Sequence, residues 1–351
     1  MKVYKYRNGK GAFDKNGNSF FERDVNILVE NNIYAPIVME LNDPSENMVD
    51  DRILDLYKNT FSKNGLYDDW MKMKKMFLNL GIYSLSKSCN NELLWAYYAS
   101  GHKGFAIEYD LDRLYTSFQY VDYEKMCYCL EVKYSNRMPK IKGLKHLWRL
   151  MNPETMLTIP LYLGNKSNNW KHEEEIRLVL EKKGLIEYDY RAVIGIYFGY
   201  KMDRGEMNYI MYKLRGRGIR YYKMILEDNY ALTPVPIRDK YYDSPEYIVN
   251  NGGYDPRILT KEFLKDDYGY RAIVKEAVDI VCKKPLVRNA LGVRVIKEHD
   301  FTKIEVVTST TGIYFLKTFV FILNIAGGLI LVEDIEREKR LGINIQVYTN
   351  F

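Results

Sequence analysis

Three short polar stretches carry side chains capable of chemistry: Tyr4-Lys5-Tyr6-Arg7, Ser84-Leu85-Ser86-Lys87-Ser88 and Glu173-Glu174-Glu175, the last leading into Ile176-Arg177-Leu178-Val179-Leu180. Arg7 offers a planar fork that suits paired phosphate oxygens. On a strand, alternation puts Ser84, Ser86 and Ser88 on one face. If 173–180 enters a strand, Glu173, Glu175 and Arg177 share a face and Glu174 lies on the other. Two carboxylates on one face repel, which raises the pKa of one of them. Arg177 could equally neutralise them, making the run a charged strand start with an internal Glu–Arg pair. A helix would break the alignment, since positions i and i+2 do not face each other.

A fourth stretch, Leu93 to Asp110, is rich in rings. Trp95, Tyr97 and Tyr98 with His102 could wall a planar ligand, although a helix packing Leu94, Trp95 and Tyr98 into the core competes, and for Trp95 it is preferred. His102 sits in a turn, Ser100-Gly101-His102-Lys103-Gly104, where a core role does not fit. Asn42, Asp43 and Glu46 read as turn and cap residues. Cys89, Cys127, Cys129 and Cys282 form no C-x-x-C pair and the histidines are scattered, so reduced, partly buried thiols are expected and no metal site. Phosphate-loop, dinucleotide-loop, H-E-x-x-H and G-x-S-x-G motifs do not occur. Arg215-Gly216-Arg217-Gly218-Ile219-Arg220 has the bases for a phosphate contact but not the strand–loop–helix setting.

The elements that must position these residues follow from the pattern. Strands are expected at 3–7, 81–88, FAIEYDL, CYCLEVKY, EIRLVLE and AVIGIYFGY; helices before Asn31-Asn32, over 50–80, after Asn90-Asn91, over 144–163 and over 203–217. Helices set among short strands, without regular βαβ alternation, indicate an α+β fold with a mixed or antiparallel sheet core and flanking helices. The Pro-, Gly- and Asn-rich run 233–256 reads as a linker between a domain over 1–232 and a smaller α+β domain over 257–351.

At 351 residues the chain can bury a sizeable core, and a charge of +6 favours phosphate-bearing ligands without demanding them. The N-terminus lacks the apolar stretch of a signal peptide. Residues 312–332 are long enough to cross a bilayer, but Lys317 and Asn324 interrupt them and Gly327-Gly328 fits a turn. Two core strands in a cytoplasmic protein are the expectation.

Y-K-Y-R at the start, L-N-D-P-x-E near 41, Y-S-L-S near 83, L-W-x-x-Y-A-x-x-H-K-G-F-x-I-E-Y near 94 and W-x-x-E-x-E-x-R at 170–177 together resemble a bacterial family, domain of unknown function 2971, over about residues 3–230. Ser45 stands where a bulkier residue is expected, a difference that bears on packing. The family name carries no activity. The order Arg7, Ser84-Leu85-Ser86, Glu173-Glu174-Glu175 is also similar to the arginine–serine–glutamate class of ADP-ribosyltransferases.

That similarity implies NAD as substrate. Arg7 would hold the diphosphate, and Ser84 and Ser86 would orient the ribose. Glu175 would stabilise the oxocarbenium-like transition state electrostatically, and Glu173 would position or activate an acceptor, protein or nucleic acid. Tyr97, Tyr98 and His102 would wall the nicotinamide. A defence or toxin effector is the matching role. The alternatives are a non-catalytic sensor or partner-binding module, and a metal-dependent nucleic-acid enzyme using Asp43, Glu46, Glu173 and Glu175.

Overall fold

A computed structural model describes residues 1–53, 66–119, 127–142, 158–249, 252–299, 301–310, 316–323 and 328–331. Along the first two-thirds run β1 (Lys2–Arg7), β2 (Asn32–Ala35), β3 (Gly81–Ser86), β4 (Phe105–Asp110), β5 (Cys127–Glu131) and β6 (Lys133–Ser135). They are followed by β7 (Asn165–Ser167), β8 (Glu175–Leu180), β9 (Gly184–Glu187), β10 (Val193–Phe198), β11 (Arg220–Leu226) and β12 (Leu232–Ile237). An eight-stranded mixed sheet has the order β12-β11-β10-β4-β1-β3-β8-β5 among the described residues, with β10 and β11 parallel and the other pairs antiparallel. The fold is α+β.

Apolar residues alternate along the strands, and each sheet face is covered by helices whose own apolar stripes match it. One face carries Val3, Tyr83, Leu85, Ile107, Ile176, Leu178 and Ile196, packed under helix Phe20–Val29 and helix Arg204–Lys213. Ser19 starts the first of these helices by accepting from the Glu22 N–H. The opposite face splits in two. Ile82, Leu130 and Val179 meet Trp70 and Phe77 of helix Leu66–Leu78, together with Tyr162. Tyr4, Tyr6 and Tyr197 meet Leu94 and Trp95 of helix Glu92–Tyr98, which Asn91 caps by accepting from the Leu93 and Leu94 N–H groups. Trp95 is thus a core residue.

The sheet is not uniformly zipped. β1 pairs with β4 at six positions, from Lys2↔Asp110 to Arg7↔Phe105, and β3 pairs with β8 at six, from Gly81↔Leu180 to Ser86↔Glu175. Between them β1 and β3 pair at one position, Tyr4↔Ser86. Two well-formed halves therefore diverge at their shared seam.

A second sheet follows in the order β13-β14-β15-β16-β17, built from Gly253–Tyr254, Val287–Lys297, Thr302–Thr310, Leu316–Leu323 and Leu329–Leu331. Helix Arg271–Cys282 lays Val274, Ala277, Val278 and Val281, one helical stripe, on Val287, Ile304, Val306, Phe319 and Phe321. The apolar stretch 312–332 contributes β16 and β17, paired at Phe321↔Leu331, Ile322↔Ile330 and Leu323↔Leu329. Gly327, half of the expected turn, lies outside the described residues. No described helix is long and apolar enough to cross a membrane.

Two readings of the sequence meet a different local structure, and two expected helices are described only in part. The run 233–256 opens as edge strand β12, where Pro234 and Pro236 pair opposite Met224 and Tyr222 without needing an outer partner. Of the helices expected over 50–80 and 144–163, Leu66–Leu78 and Thr158–Leu163 are described, while 54–65 and 143–157 lie outside the described residues. Glu173 ends a 3-10 helix, Asn168–Glu173, rather than sharing a strand with Glu175, and Glu174 follows it at φ 46°.

Candidate functional site at the split between two strands

A cavity of about 550 Å³ occupies the divergence of β1 and β3. Its wall includes Lys5, Arg7, Ser84, Ser86, Tyr97, Tyr98, Glu173 and Glu175, together with Glu46 and Lys166. The register explains why a split is needed. Tyr4↔Ser86 and Ser86↔Glu175 put Ser84, Ser86, Glu175 and Arg177 on one face of the sheet; Lys5 and Arg7 alternate onto the other. In a continuous sheet these groups would be separated by the backbone. Where the strands part, both sets reach one space. Lys5 Nζ donates to the Ser84 carbonyl at 2.8 Å, an acceptor that a continued β1–β3 ladder would have used.

On the β1 side, Arg7 lies beside Asp24 at 3.8 Å, and its Nε has no hydrogen-bond partner. Asp24 is itself buried, accepts from Arg23 at 2.7 and 3.1 Å, and keeps one oxygen without a partner. Burial, and then the neighbouring Arg7 charge, pull the Lys5 ammonium down to about 7, against the opposing pull of Glu175, Asp24 and Glu173.

On the β8 side the carboxylates are closely managed. Arg177 is fully buried and places all five of its N–H donors: Nε on Glu175 at 2.8 Å, one terminal nitrogen on Glu46 at 2.8 Å and on the Leu163 carbonyl at 2.9 Å, the other on Glu46 at 2.6 Å and on Glu175 at 3.0 Å. Lys166, delivered by β7, lies 2.6 Å from Glu173, 3.3 Å from Glu175 and 3.5 Å from Glu46. Tyr98 donates its hydroxyl to Glu173 at 2.7 Å, and the Glu175 N–H donates to the Tyr134 hydroxyl at 2.8 Å. Burial alone would raise the Glu175 carboxyl; Arg177 and Lys166, with a hydrogen bond from Ser84, outweigh it and hold it at about 2. Glu175 is a permanent anion at neutral pH. Three carboxylates against two cations leave this side of the cavity with one net negative charge.

Of the residues selected from the sequence, Arg7, Ser84, Ser86, Tyr97, Tyr98, Glu173 and Glu175 line the cavity. Tyr97 is mostly exposed, at the mouth, 6.3 Å from the His172 ring. His102 does not line it. Its ring packs 5.2 Å from Tyr200, and its φ of 68° helps close the turn from helix Glu92–Tyr98 into β4. Glu174 is exposed, as expected, but as the cap that ends the 3-10 helix and not as the opposite face of a strand. Asp43 serves its own turn, accepting from the Ser45 N–H at 2.9 Å and hydroxyl at 2.7 Å. Arg217 of the basic run is committed to structure: it donates to Asn31 at 2.6 Å and the Val29 carbonyl at 2.7 Å, and stacks 3.9 Å from the Tyr247 ring.

Residues 94–178 match the family model described as Protein of unknown function (DUF2971). The DUF2971 match takes in Tyr97, Tyr98, Lys166, Glu173, Glu175 and Arg177, and stops short of β1 and β3, so Arg7, Ser84 and Ser86 fall outside it. The description of DUF2971 names no activity. No curated protein and no solved structure matches the chain significantly.

Charged cavity residues that the sequence reading gave no role are Lys5 and Lys166, while Glu46 entered it only as a turn residue and as a metal-site alternative. Lys5 stood in the first polar cluster, but nothing local distinguishes a buried lysine from a solvated one. Glu46 pairs with a residue 131 positions away, and Lys166 sits in an unremarkable Gly-Asn-Lys-Ser run.

Proposed function

We propose that the cavity binds NAD and that the protein is an ADP-ribosyltransferase-like enzyme acting on a macromolecular acceptor, protein or nucleic acid, consistent with a cytoplasmic defence or toxin role. The observation carrying this reading is the convergence of Arg7, Ser84, Ser86, Glu173 and Glu175 from three adjacent strands and one short helix on a single cavity. Its volume, about 550 Å³, falls in the range typical of small-molecule sites. Arg7 pairs with Asp24 at 3.8 Å through a terminal nitrogen, and its unpartnered Nε is suited to an anionic ligand group.

Each residue's role follows from its surroundings. When bound, NAD would supply a glycosidic bond whose nicotinamide leaves with the bonding electron pair. Arg7 holds the diphosphate. Glu175, ionised and fixed by Arg177, Lys166 and Ser84, needs no reorganisation to stabilise positive charge developing at the ribose. Glu173, held by Lys166 and Tyr98, lies beside it to position the acceptor and take its proton. Tyr97 at the mouth offers a face for the nicotinamide ring.

The pairing of Glu175 with Arg177 also suits a second reading, a binding module without turnover. A metal-dependent site fits less well, because Arg177 and Lys166 already occupy the Glu46, Glu173 and Glu175 oxygens that a divalent ion would need. Among the described residues no group of three or more metal-ligating side chains occurs.

The test is nicotinamide release from NAD by purified wild type and Glu175→Gln, with and without cell extract as acceptor. Arg177 keeps its two-point hold on Glu46 in the variant, so folding is expected to survive, checked by circular dichroism. Release should fall roughly a hundredfold or more while NAD binding persists. Undiminished turnover in Glu175→Gln rejects the mechanism; NAD binding without release by wild type selects the binding module.

A further inference from the structure

In the cavity, basic side chains without a tight ion pair concentrate on β1. Lys5 and Arg7 alternate onto the same face of that strand and both line the cavity. Among the described residues Lys5 makes no ion pair; its amino group donates to the neutral Ser84 carbonyl at 2.8 Å. Arg7 has a distant partner in Asp24 and an idle Nε. The other cavity cations differ. Lys166 lies within 3.5 Å of three carboxylates, and Arg23 donates twice to Asp24. Two neighbouring basic side chains on one strand, Lys5 without an ion pair and Arg7 with a free Nε, match a ligand with two adjacent negative charges.

We infer that Lys5 and Arg7 together clamp the diphosphate of the ligand, and that Lys5 takes up a proton as the anion seats. The clamp rests on the dinucleotide reading above, though not on the transfer chemistry. With the cavity free, burial and Arg7 favour neutral Lys5, whose amine is held at about 7. The groups facing it are Arg7 from β1, Asp24 and Arg23 from helix Phe20–Val29, Tyr83 from β3, Glu173 and Glu175 around the start of β8, and Glu46 and Lys166 beyond them. Tyr83 places its ring 4.9 Å from the ammonium, which favours the charged form modestly. An anion bridging Lys5 and Arg7 cancels their mutual repulsion and raises the Lys5 pKa. The sign is then fixed: the bound pKa exceeds the free one, so binding consumes a proton and affinity falls as pH rises above about 7.

ADP-ribose is the clean probe, because its diphosphate diester keeps both negative charges throughout the neutral range and exchanges no proton itself. Titration calorimetry at about pH 7.5, in two buffers of different ionisation enthalpy, reads the proton uptake; with Lys5 lowered to about 7, a substantial fraction of one proton is expected for wild type. Lys5→Arg should bind ADP-ribose with the uptake abolished. Lys5→Gln should bind roughly tenfold or more weakly, also without uptake. A purely structural Lys5 would change stability but not the proton count. Lys5→Gln binding as tightly as wild type, or no binding of ADP-ribose at all, would overturn the clamp; binding by wild type without proton uptake would overturn the protonation of Lys5 on seating of the anion. Proton-coupled binding of ADP-ribose with no nicotinamide release from NAD would support the clamp and remove the transfer reading.

Discussion

At the scale of single residues, the site is defined by how its charges are compensated. Glu175 and Arg177 are both buried, and an ion pair taken out of water is stabilising only when its remaining donors and acceptors are also met. Here they are, since all five Arg177 donors find acceptors. Arg177→Met should therefore cost about 3–5 kcal/mol in urea denaturation, because it leaves Glu46, Glu173 and Glu175 with Lys166 as their one close cation among the described residues. Glu175 also has a pH signature. Its folded pKa is lowered from 4.5 to about 2, so its contribution is complete above 4.5 and lost as pH falls through about 2. Thermal melts across that window should show a loss of up to about 3 kcal/mol in wild type that is absent in Glu175→Gln. Equal acid sensitivity in the two proteins would contradict the assignment. The Glu175–Arg177 alternation was visible in the sequence; that Glu46 pairs with Arg177 was not, because no local pattern announces a contact with a turn 131 residues upstream.

At the scale of elements, the cavity exists because β1 follows β4 and β3 follows β8, while β1 and β3 part after one paired position. The backbone around the end of β1 is tightly packed. A Cβ on Gly104 would lie 2.1 Å from the Arg7 carbonyl oxygen and 3.0 Å from the Gly9 nitrogen. No side-chain rotation relieves that contact, since both neighbours are backbone. Gly104→Ala should lower the melting temperature and, by displacing the end of β1, weaken ADP-ribose binding more than a distant variant of equal stability does. Unchanged affinity at reduced stability would show that β1 holds Arg7 in place independently of this contact. The strand and helix assignments at this scale were largely legible, since Ser19 and Asn91 cap their helices and the strands alternate as read. Pro234 and Pro236 misled because proline suits both linkers and edge strands.

At the scale of the whole molecule, the apolar cores divide. The buried cluster that includes Val3, Tyr83 and Ile196 shares no member with the one that includes Val278, Ile304 and Phe321. Cores without shared residues can melt separately. Differential scanning calorimetry should resolve two transitions, and Val278→Ala, emptying a fully buried position, should lower one by about 2 kcal/mol and leave the other in place. A single transition shifted as a unit by Val278→Ala would show that the two parts are thermodynamically coupled, with contacts such as Arg288–Glu187 joining them.

The sequence by itself determined the α+β class, the three polar clusters and six of the eight main-sheet strands, all but β11 and β12, because periodicity, capping and turn chemistry act within a few residues. Alternation even put Ser84 with Ser86, and Glu175 with Arg177, on common faces. The tertiary structure decided that Lys5 and Arg7, on the opposite face, would share a cavity with them. It also decided that Lys166 and Glu46 would complete the charge balance and that His102 would turn away to Tyr200. These outcomes depend on where two strands stop pairing and on which distant charges burial brings together, and neither is encoded at the range over which a sequence pattern repeats.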